Sequence, residues 1–520
     1  MKKTLLTLSL LALSAGISNV FAQTTLDYVY DVSKEVSSGS ARFKSMGGVN
    51  TALGGDISSI SGNPAGLGFY GQSDISVSVN YLNNNNKANY FGTTTDHNQG
   101  KFGLENVGIV LHMPTANGGY GWQNFNMGIS YDRSNNFANQ IVYSGVNDAN
   151  TIVQYLSDQM YEFEDFSSDF SRSNLVERFN DPSEGYFPIA LETDPKSQQV
   201  DVLTKGYKAK TTLSFGGNYN NKFYLGGSLG LVSFKYDRNY SVFESGWTKN
   251  ADQIRPDASA NSGFLDPSNP KHQYTEINYE LTDYEDNRLR GTGVNVALGM
   301  IFKPTWDWNI GVHIVSPTWT TVNEERLLET VADYYKDENA TTTFLPTYNS
   351  TPSTASYDYG VISPLRASVG LTKFFGRGLV SADLEFADYS SITYRETSTE
   401  VMDFTEENEI NASINDVYKS AVNFRVGGEL LFTDRLSGRA GFSYYSSPIK
   451  GIDNGDHMTS LGLGYIINQN LYVDLAAIQY KKETYNSSPY SLADLWNSPA
   501  PTAEVKSSRT NVVLTLGAKF

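Results

Sequence analysis

The sequence predicts an all-β fold, a transmembrane antiparallel β-barrel of about fourteen strands with an N-terminal plug in its lumen. Three observations carry that expectation. Short blocks alternate apolar and polar residues with period two. The connections between those blocks alternate between short and long. The composition is rich in aromatic and small residues, with 34 Tyr and 45 Gly, yet mean hydropathy is only −0.37. No segment beyond the N-terminal leader reaches the run of about 18 apolar residues that a helical span needs. Barrel strands survive that test, because only alternate residues of each strand meet lipid.

The alternation is plainest at the C-terminus. Val512, Leu514, Leu516, Ala518 and Phe520 share one face, and Asn511, Thr515 and Lys519 lie on the other, as strand geometry requires. Val294, Val296, Leu298, Met300 and Phe302 repeat the pattern, as do Val380, Ala382, Leu384 and Phe386. Fourteen such blocks lie near 73–82, 105–113, 124–132, 211–219, 223–236, 292–302, 309–316, 365–375, 378–387, 421–432, 436–445, 458–466, 471–480 and 511–520. The connections 114–123, 220–222, 303–308, 376–377, 433–435 and 467–470 are short. Those at 83–104, 133–210, 237–291, 317–364, 388–420, 446–457 and 481–510 are long. Six short turns and seven long loops are what fourteen strands with both ends in the periplasm require. A secreted β-sandwich would alternate too, but it does not predict that asymmetry. Within the long loops, Ile152, Tyr155, Leu156 and Met160 recur at helical spacing, as do Leu327, Leu328, Val331, Tyr334 and Tyr335. Both sets predict short amphipathic helices above the barrel. The alternation from Tyr274 to Tyr284 extends the sixth strand outward.

The first residues set the compartment. Lys2 and Lys3 precede an apolar run from Leu5 to Ala15, and Val20-Phe21-Ala22 closes it. This is the pattern of a signal peptide, residues 1–22, cleaved after Ala22. The chain has no cysteine, which excludes a lipid anchor at cysteine and any disulfide framework. Its formal charge of −17 disfavours nucleic acid as a partner.

Residues 23–72 are too long for a simple lead-in to the first strand and read as a plug, with the barrel proper at 73–520. Their glycines and the Asn63-Pro64 step suit tight turns. The run MGGVNTALGGDISSISGNPAGLGF, Met46 to Phe69, resembles the N-terminal hatch of the long-chain fatty-acid transporter family, the FadL/TodX-type outer-membrane channels. Asn63, Pro64, Ala65 and Gly66 are its most recognisable element. Later stretches, among them GTGVNVALGMIFKPTWDWNIGVHIVSPT and RVGGELLFTDRLSGRAGFSYYSSPI, are similar to that family's hairpins.

The resemblance implies a plugged fourteen-stranded barrel in the bacterial outer membrane. It implies a monomer, with outer-membrane lipid around it and the barrel-assembly machinery engaging the C-terminal Phe520. It implies passive uptake of hydrophobic small molecules, long-chain fatty acid-like or aromatic hydrocarbons, through a pocket beside the plug with lateral release past a kinked third strand. Gly128 is the candidate kink, because glycine in a strand often marks one. In the family the loop after the fifth strand helps form an external groove. Here 237–291 lacks a helical pattern and the helical signal sits in 133–210.

Alternation points Arg366, Asp383, Glu385, Arg425, Glu429, Arg439 and Asp474 into the lumen. Mixed signs there predict an ion-pair lattice. The competing expectation is that Arg366, Arg425 and Arg439 hold a ligand carboxylate bidentately. A surface ligand- or haem-binding barrel, its function carried by the long loops, is the alternative to a channel. Against haem, His97, His272 and His457 are scattered singly. The chain carries no HExxH, P-loop or GxSxG motif. An enzyme is therefore not expected, nor any cofactor or metal. A lipid-acting enzyme would need a Ser–His pair, and the spacing around His112 and His313 singles out none.

Overall fold

Each of the fourteen alternating blocks forms a strand, and the strands close into one antiparallel barrel in the computed structural model. The structure describes residue 26 and residues 28–36, 38–115, 119–162, 169–397, 404–492, 496 and 498–520. The expected signal peptide and its cleavage site lie outside the described residues.

In chain order the strands are β1 Asp74–Tyr90, β2 Thr93–Pro114, β3 Trp122–Asn136 continued by Asn139–Asn147, β4 Lys196–Tyr219 and β5 Phe223–Trp247. Next come β6 Asn278–Thr305, β7 Trp308–Val315 continued by Trp319–Tyr335, and β8 Ser353–Ile362 continued by Arg366–Phe375. Then follow β9 Gly378–Asp388 continued by Thr393–Glu396, β10 Ser420–Leu431, β11 Leu436–Tyr445 and β12 Asp456–Ile466. Last are β13 Leu471–Tyr480 continued by Glu483–Ser487, and β14 Ala503–Lys519. Closure is by β1 on β14, from Asp74↔Lys519 to Asn89↔Glu504. The adjacent breaks in β7 and β8 each contain a proline, Pro317 and Pro364, which cannot donate to a ladder. The pairing is carried across them by Ser363 N donating to Thr318 O at 3.0 Å and Thr318 N donating to Ser363 Oγ at 2.9 Å.

Large apolar side chains point outward in a belt around the barrel, among them Ile75, Val77 and Val79 on β1, Val296 and Leu298 on β6, and Leu461 and Leu463 on β12. A continuous apolar girdle of this kind would aggregate in water, and it is the lipid-facing surface of an outer-membrane barrel. No helix among the described residues is long and apolar enough to cross a membrane.

The strands run well beyond the belt, and this corrects several expected loop boundaries. The connection expected at 83–104 is a hairpin with ladder pairs out to Tyr90↔Thr93 and a two-residue turn, Phe91-Gly92. Both turn residues have positive φ, 45° and 79°, as a type I′ turn demands. β4 and β5 pair from Tyr219↔Phe223 out to Ser197↔Ser245, taking residues assigned to loops. Leu327 to Tyr335 is strand, not helix, and pairs with β6 from Leu327↔Asp286 to Tyr335↔Asn278. Along it Thr330, Ala332 and Tyr334 are buried and alternate with half-buried Val331, Asp333 and Tyr335, the period of a strand. The helix expected around Ile152 is present as α1, Ile152–Glu162. A second long helix, α2 Phe404–Val417, was not expected. The outward extension of the sixth strand is present from Asn278, while Pro270–Tyr274 is a 3-10 turn.

The lumen is filled in three storeys. Residues 38–70 lie against the inner wall at the turn end. Leu26 and residues 28–36 sit above them, packed with α2. An apolar cap built from Tyr90, Tyr143, Leu156, Phe170, Tyr279 and Tyr334 closes the loop end.

Candidate functional site

The lowest storey is seated on glycines. A Cβ placed on Gly311 would overlap the Thr51 carbonyl, one on Gly427 the Met46 carbonyl, and one on Gly441 the Gly47 amide. Gly216 and Gly226 stand equally close to Pro64. At these glycines the plug backbone comes against the wall backbone, close enough for its carbonyls and amides to reach neighbouring wall side chains. Asp383 accepts from Asn50 N at 2.9 Å, Thr51 N at 3.0 Å and Thr51 Oγ1 at 2.9 Å. Ala41 N donates to Thr515 Oγ1 at 2.8 Å, and Ser443 Oγ to Gly47 O at 2.7 Å.

The Asn63-Pro64-Ala65-Gly66 motif is the corner of this seat. Asn63 is fully buried and caps the 3-10 helix Pro64–Phe69, accepting from Ala65 N at 3.1 Å. Its amide donates to Thr51 O at 2.6 Å and to Val312 O on β7 at 3.3 Å. Pro64 occupies the first helical position, where its missing N–H costs nothing. The motif ties two plug segments to each other and to the wall.

Gly128 is not a kink. It pairs in unbroken register with Val110 on one side and Ser214 on the other. Its lack of a side chain makes room for Ile60 of the plug, whose Cγ1 would lie 2.7 Å from a Cβ there. The irregularities of β3 fall at Trp122/Asn124 and Arg133/Asn135, and the strand is interrupted at residues 137–138. The β2–β3 ladder ends at Asn106↔Asp132. Above that pair β3 pairs with β4 and swings across the inner face of β1. There Asn84 Nδ2 donates to Ala138 O at 2.5 Å, and Asn86 Nδ2 to Gln140 O at 2.6 Å. The outer half of β2 keeps β1 as its ladder partner. The wall is thus unzipped between β2 and β3 above Asn106.

The inward charges form the expected lattice. Arg425 meets Glu385 at 2.7 Å. Arg439 meets both Glu429 and Asp474 at 2.5 Å, and Arg42 of the plug joins Glu429 at 3.0 Å. Arg425 and Arg439 are therefore matched by wall carboxylates and hold the plug level together. Arg366 pairs with Glu35 from the N-terminal segment, and the wall carboxylate Glu385 also faces it. Lys210 also faces Glu35, at 3.5 Å. Burial pushes the Glu35 carboxyl up, but Arg366, Lys210 and Lys208 more than reverse this and hold it well below the ordinary carboxylate range. A polar cavity of about 70 Å³ adjoins this cluster, lined by Glu35, Ser61, His313, Arg366, Ser368 and Arg425 among others. That volume is room for about two waters. Ser368 stands opposite His313 in register, but its hydroxyl turns to Glu385 at 3.5 Å.

The middle storey is an aromatic chamber. Phe234, Tyr359, Tyr389, Tyr394 and Tyr418 line it from the wall and from α2's neighbourhood, and Ile410 and Ile414 of α2 complete it. Leu26, Tyr28, Val29 and Val32 fill it. Tyr30 stacks on Tyr418 with ring centroids 5.6 Å apart, and Tyr418 Oη donates to Leu26 O at 3.1 Å. Residues 28–33 are helical, and Lys208 caps that turn by donating to Val32 O at 2.7 Å and Lys34 O at 3.0 Å. A cation on the last carbonyls of a helix is electrostatically favourable. Sequence reasoning found Arg366 by alternation. It did not find the chamber, because its lining comes from strands far apart in the chain.

No family model and no curated relative matches this sequence. The fold, however, is that of solved hydrophobic-compound channels. The Pseudomonas putida toluene transporter TodX superposes with a TM-score of 0.50 at 13% identity, covering 94% of this chain and 99% of that one. The Ralstonia pickettii toluene transporter TbuX gives 0.50 at 16% identity, with 93% and 99% covered. A deltaS2 mutant of the TodX monoaromatic hydrocarbon channel gives 0.52 at 13% identity, with 94% and 100% covered.

Proposed function

We propose that the protein is a passive outer-membrane channel for hydrophobic small molecules, long-chain fatty acid-like compounds or aromatic hydrocarbons. The observation that carries this reading is the aromatic chamber inside the lumen. A pore for water-soluble solutes has a polar, hydrated interior. This lumen instead packs Phe234, Tyr359, Tyr389 and Tyr418 around the apolar side chains of Leu26, Tyr28, Val29 and Val32 between plug and cap. Similar folds that carry toluene and monoaromatic hydrocarbons support the same reading. The unzipped wall between β2 and β3 is the proposed exit. A hydrophobic solute leaving there enters lipid and never meets bulk water, which the hydrophobic effect favours.

Uptake of labelled toluene and of a labelled long-chain fatty acid tests the proposal in cells that lack other routes, with and without this protein. A gain for either compound is expected, and no gain for both would sink the channel reading. Cysteines placed at Gly103 and Arg133, whose side chain reaches across the unzipped wall to Gly103, test the exit. Bridging them with a short linker should slow uptake without unseating the plug.

A further inference from the structure

We propose that a groove on the lipid-facing side of the barrel, crossing β9 to β13 at their turn end, binds one glycerophospholipid of the periplasmic leaflet. Its acyl chains lie in the groove and its phosphate meets Arg377. The inference stands on the barrel's place in the outer membrane and goes beyond what the lumen carries.

The groove is a dip in the apolar belt. On β10 and β11 the outward positions are small: Gly428 stands opposite Ala440 in register, and Gly438 opposite Leu430. Large exposed side chains on the neighbouring strands rise on either side, Val380 beside Gly428 and the pair Leu461 and Leu463 beside Ala440 and Gly438. The hollow between them measures about 860 Å³ and is lined by apolar side chains and glycine backbone. Phe432 lays its ring over Gly438, where a Cβ would stand 2.6 Å from it, and Phe375 lines the same groove. Aromatic rings near the strand ends mark the height at which acyl chains give way to head groups.

Position and charge name the occupant. The groove opens at the turns 376–377 and 432–435, and short turns face the periplasm. Arg377 lines it from the first of these turns. Its ion pair with Asp434 is 3.5 Å long, with side chains 64% and 98% exposed. An exposed pair of this kind contributes little, whereas a phosphate takes a guanidinium bidentately. Arg435, exposed on the neighbouring turn, adds a second cation. Cations beside an apolar groove at the membrane surface fit a lipid with an anionic phosphate. A second copy set against this face about a two-fold axis would bring hollow to hollow. Across Gly427↔Gly441 and Gly428↔Ala440 the wall is little more than backbone. On the inside Met46 and Gly47 close against Gly427 and Gly441. On the outside an acyl chain does so against Gly428 and Ala440.

The test uses the full-length protein extracted from outer membranes in mild detergent, with palmitoyl-oleoyl phosphatidylethanolamine and the matching diacylglycerol as probes. Heat-modifiable migration verifies that each variant is folded. Native mass spectrometry is expected to show one phospholipid retained by the wild type and lost from Ala440→Leu, whose larger side chain fills the hollow from an outward position. Arg377→Gln should weaken the phospholipid about fivefold and leave the diacylglycerol unchanged. A second measurement needs no variant. A phosphatidylethanolamine with a photoreactive acyl chain, in vesicles holding the wild-type barrel, should label residues 428–440 and 461–463 above the rest of the belt. Even labelling around the belt, or equal retention by wild type and Ala440→Leu, would overturn the site. Arg377→Gln acting on both probes alike, or on neither, would overturn the phosphate contact that defines it. A wild-type dimer that Ala440→Leu separates would give the groove to a second copy instead. Uptake through the lumen should stay at the wild-type level in both variants, so this site and the channel reading fail separately.

Discussion

Two stretches of the same N-terminal segment enter the same lumen and are held there by opposite means. Residues 38–70 present backbone to backbone. Their carbonyls and amides rest on wall glycines such as Gly311, Gly427 and Gly441 and are matched by Asp383, Thr515 and Ser443. Leu26 and residues 28–35 present side chains. They are held by rings, by Lys208 on two carbonyls, and by one carboxylate on Arg366 and Lys210. The first mode requires a wall shaped for one occupant. The second requires only an apolar space with a cation at its base. The lower stretch is seated by its backbone on a wall shaped for it, and the upper one by its side chains.

The most forceful way to break the comparison is to give the lower stretch no seat. Gly311→Val drives a branched side chain into the Thr51 carbonyl, and overpacking of this kind costs about 3 kcal/mol. The denaturant midpoint of the folded barrel should fall accordingly. Cells should also become more sensitive to water-soluble antibiotics, because the plug no longer fits the wall. An unchanged midpoint would mean that the plug is not held by this contact.

Asp383→Ala asks the same question with less force. It removes the acceptor shared by Asn50 N, Thr51 N and Thr51 Oγ1, leaving buried donors unmatched at about 2 kcal/mol. Arg425 keeps Glu385 as its partner, so the loss belongs to the plug. Barrel stability should drop, while the affinity for an uncharged hydrophobe in the chamber stays within about twofold.

Much of this division was legible in the sequence, and the limits have physical causes. The fourteen strands were found within the lipid belt because one face there must be apolar. Above the belt both faces are polar or both are packed, and the period-two signal disappears. The Asn83-Asn84-Asn85-Asn86 run looks like a loop, yet Asn84 and Asn86 are buried and hydrogen-bonded inside a paired strand. Phe91-Gly92 hid a hairpin because an aromatic at positive φ is a rare turn residue. The helix Phe404–Val417 did carry a signal, Ile410, Ile414 and Val417 at helical spacing. The misassigned kink at Gly128 came from reading a strand glycine as a bend when it marks the close approach of Ile60. Arg366, Arg425 and Arg439 were all placed in the lumen correctly by alternation. What separates them is the origin of the carboxylate each one meets, and that depends on the path of the segment before the first strand.

The pH dependence sharpens the upper half of the comparison. Glu35 is held well below the ordinary carboxylate range, with Arg366 and Lys210 overcoming the effect of burial. A depressed group stabilises its contact fully above its unfolded pKa, about 4.3 for Glu. That contribution is lost as pH falls through the folded value. Binding of an uncharged fluorescent hydrophobe, which needs the chamber vacated, should therefore be flat from neutral pH down to about pH 4 and rise only below it. The rise should be absent in Glu35→Gln. A rise centred near neutral pH would assign the control to another group.

The smallest effect comes from a single hydroxyl. Tyr418→Phe keeps the ring that stacks on Tyr30 at 5.6 Å and removes the hydrogen bond to Leu26 O. One buried hydrogen bond is worth about 1 kcal/mol, so the segment should be withdrawn about fivefold more of the time. Binding of the uncharged hydrophobe should improve by the same factor. The denaturant midpoint of the barrel should stay where it is, because the stacking and hydrogen bond of Tyr418 go to Tyr30 and Leu26, outside residues 38–70. If instead the barrel loses stability and the hydrophobe binds no better, the upper segment is as much a fixture as the lower one. The two stretches would then be one plug, held in place by every contact it makes.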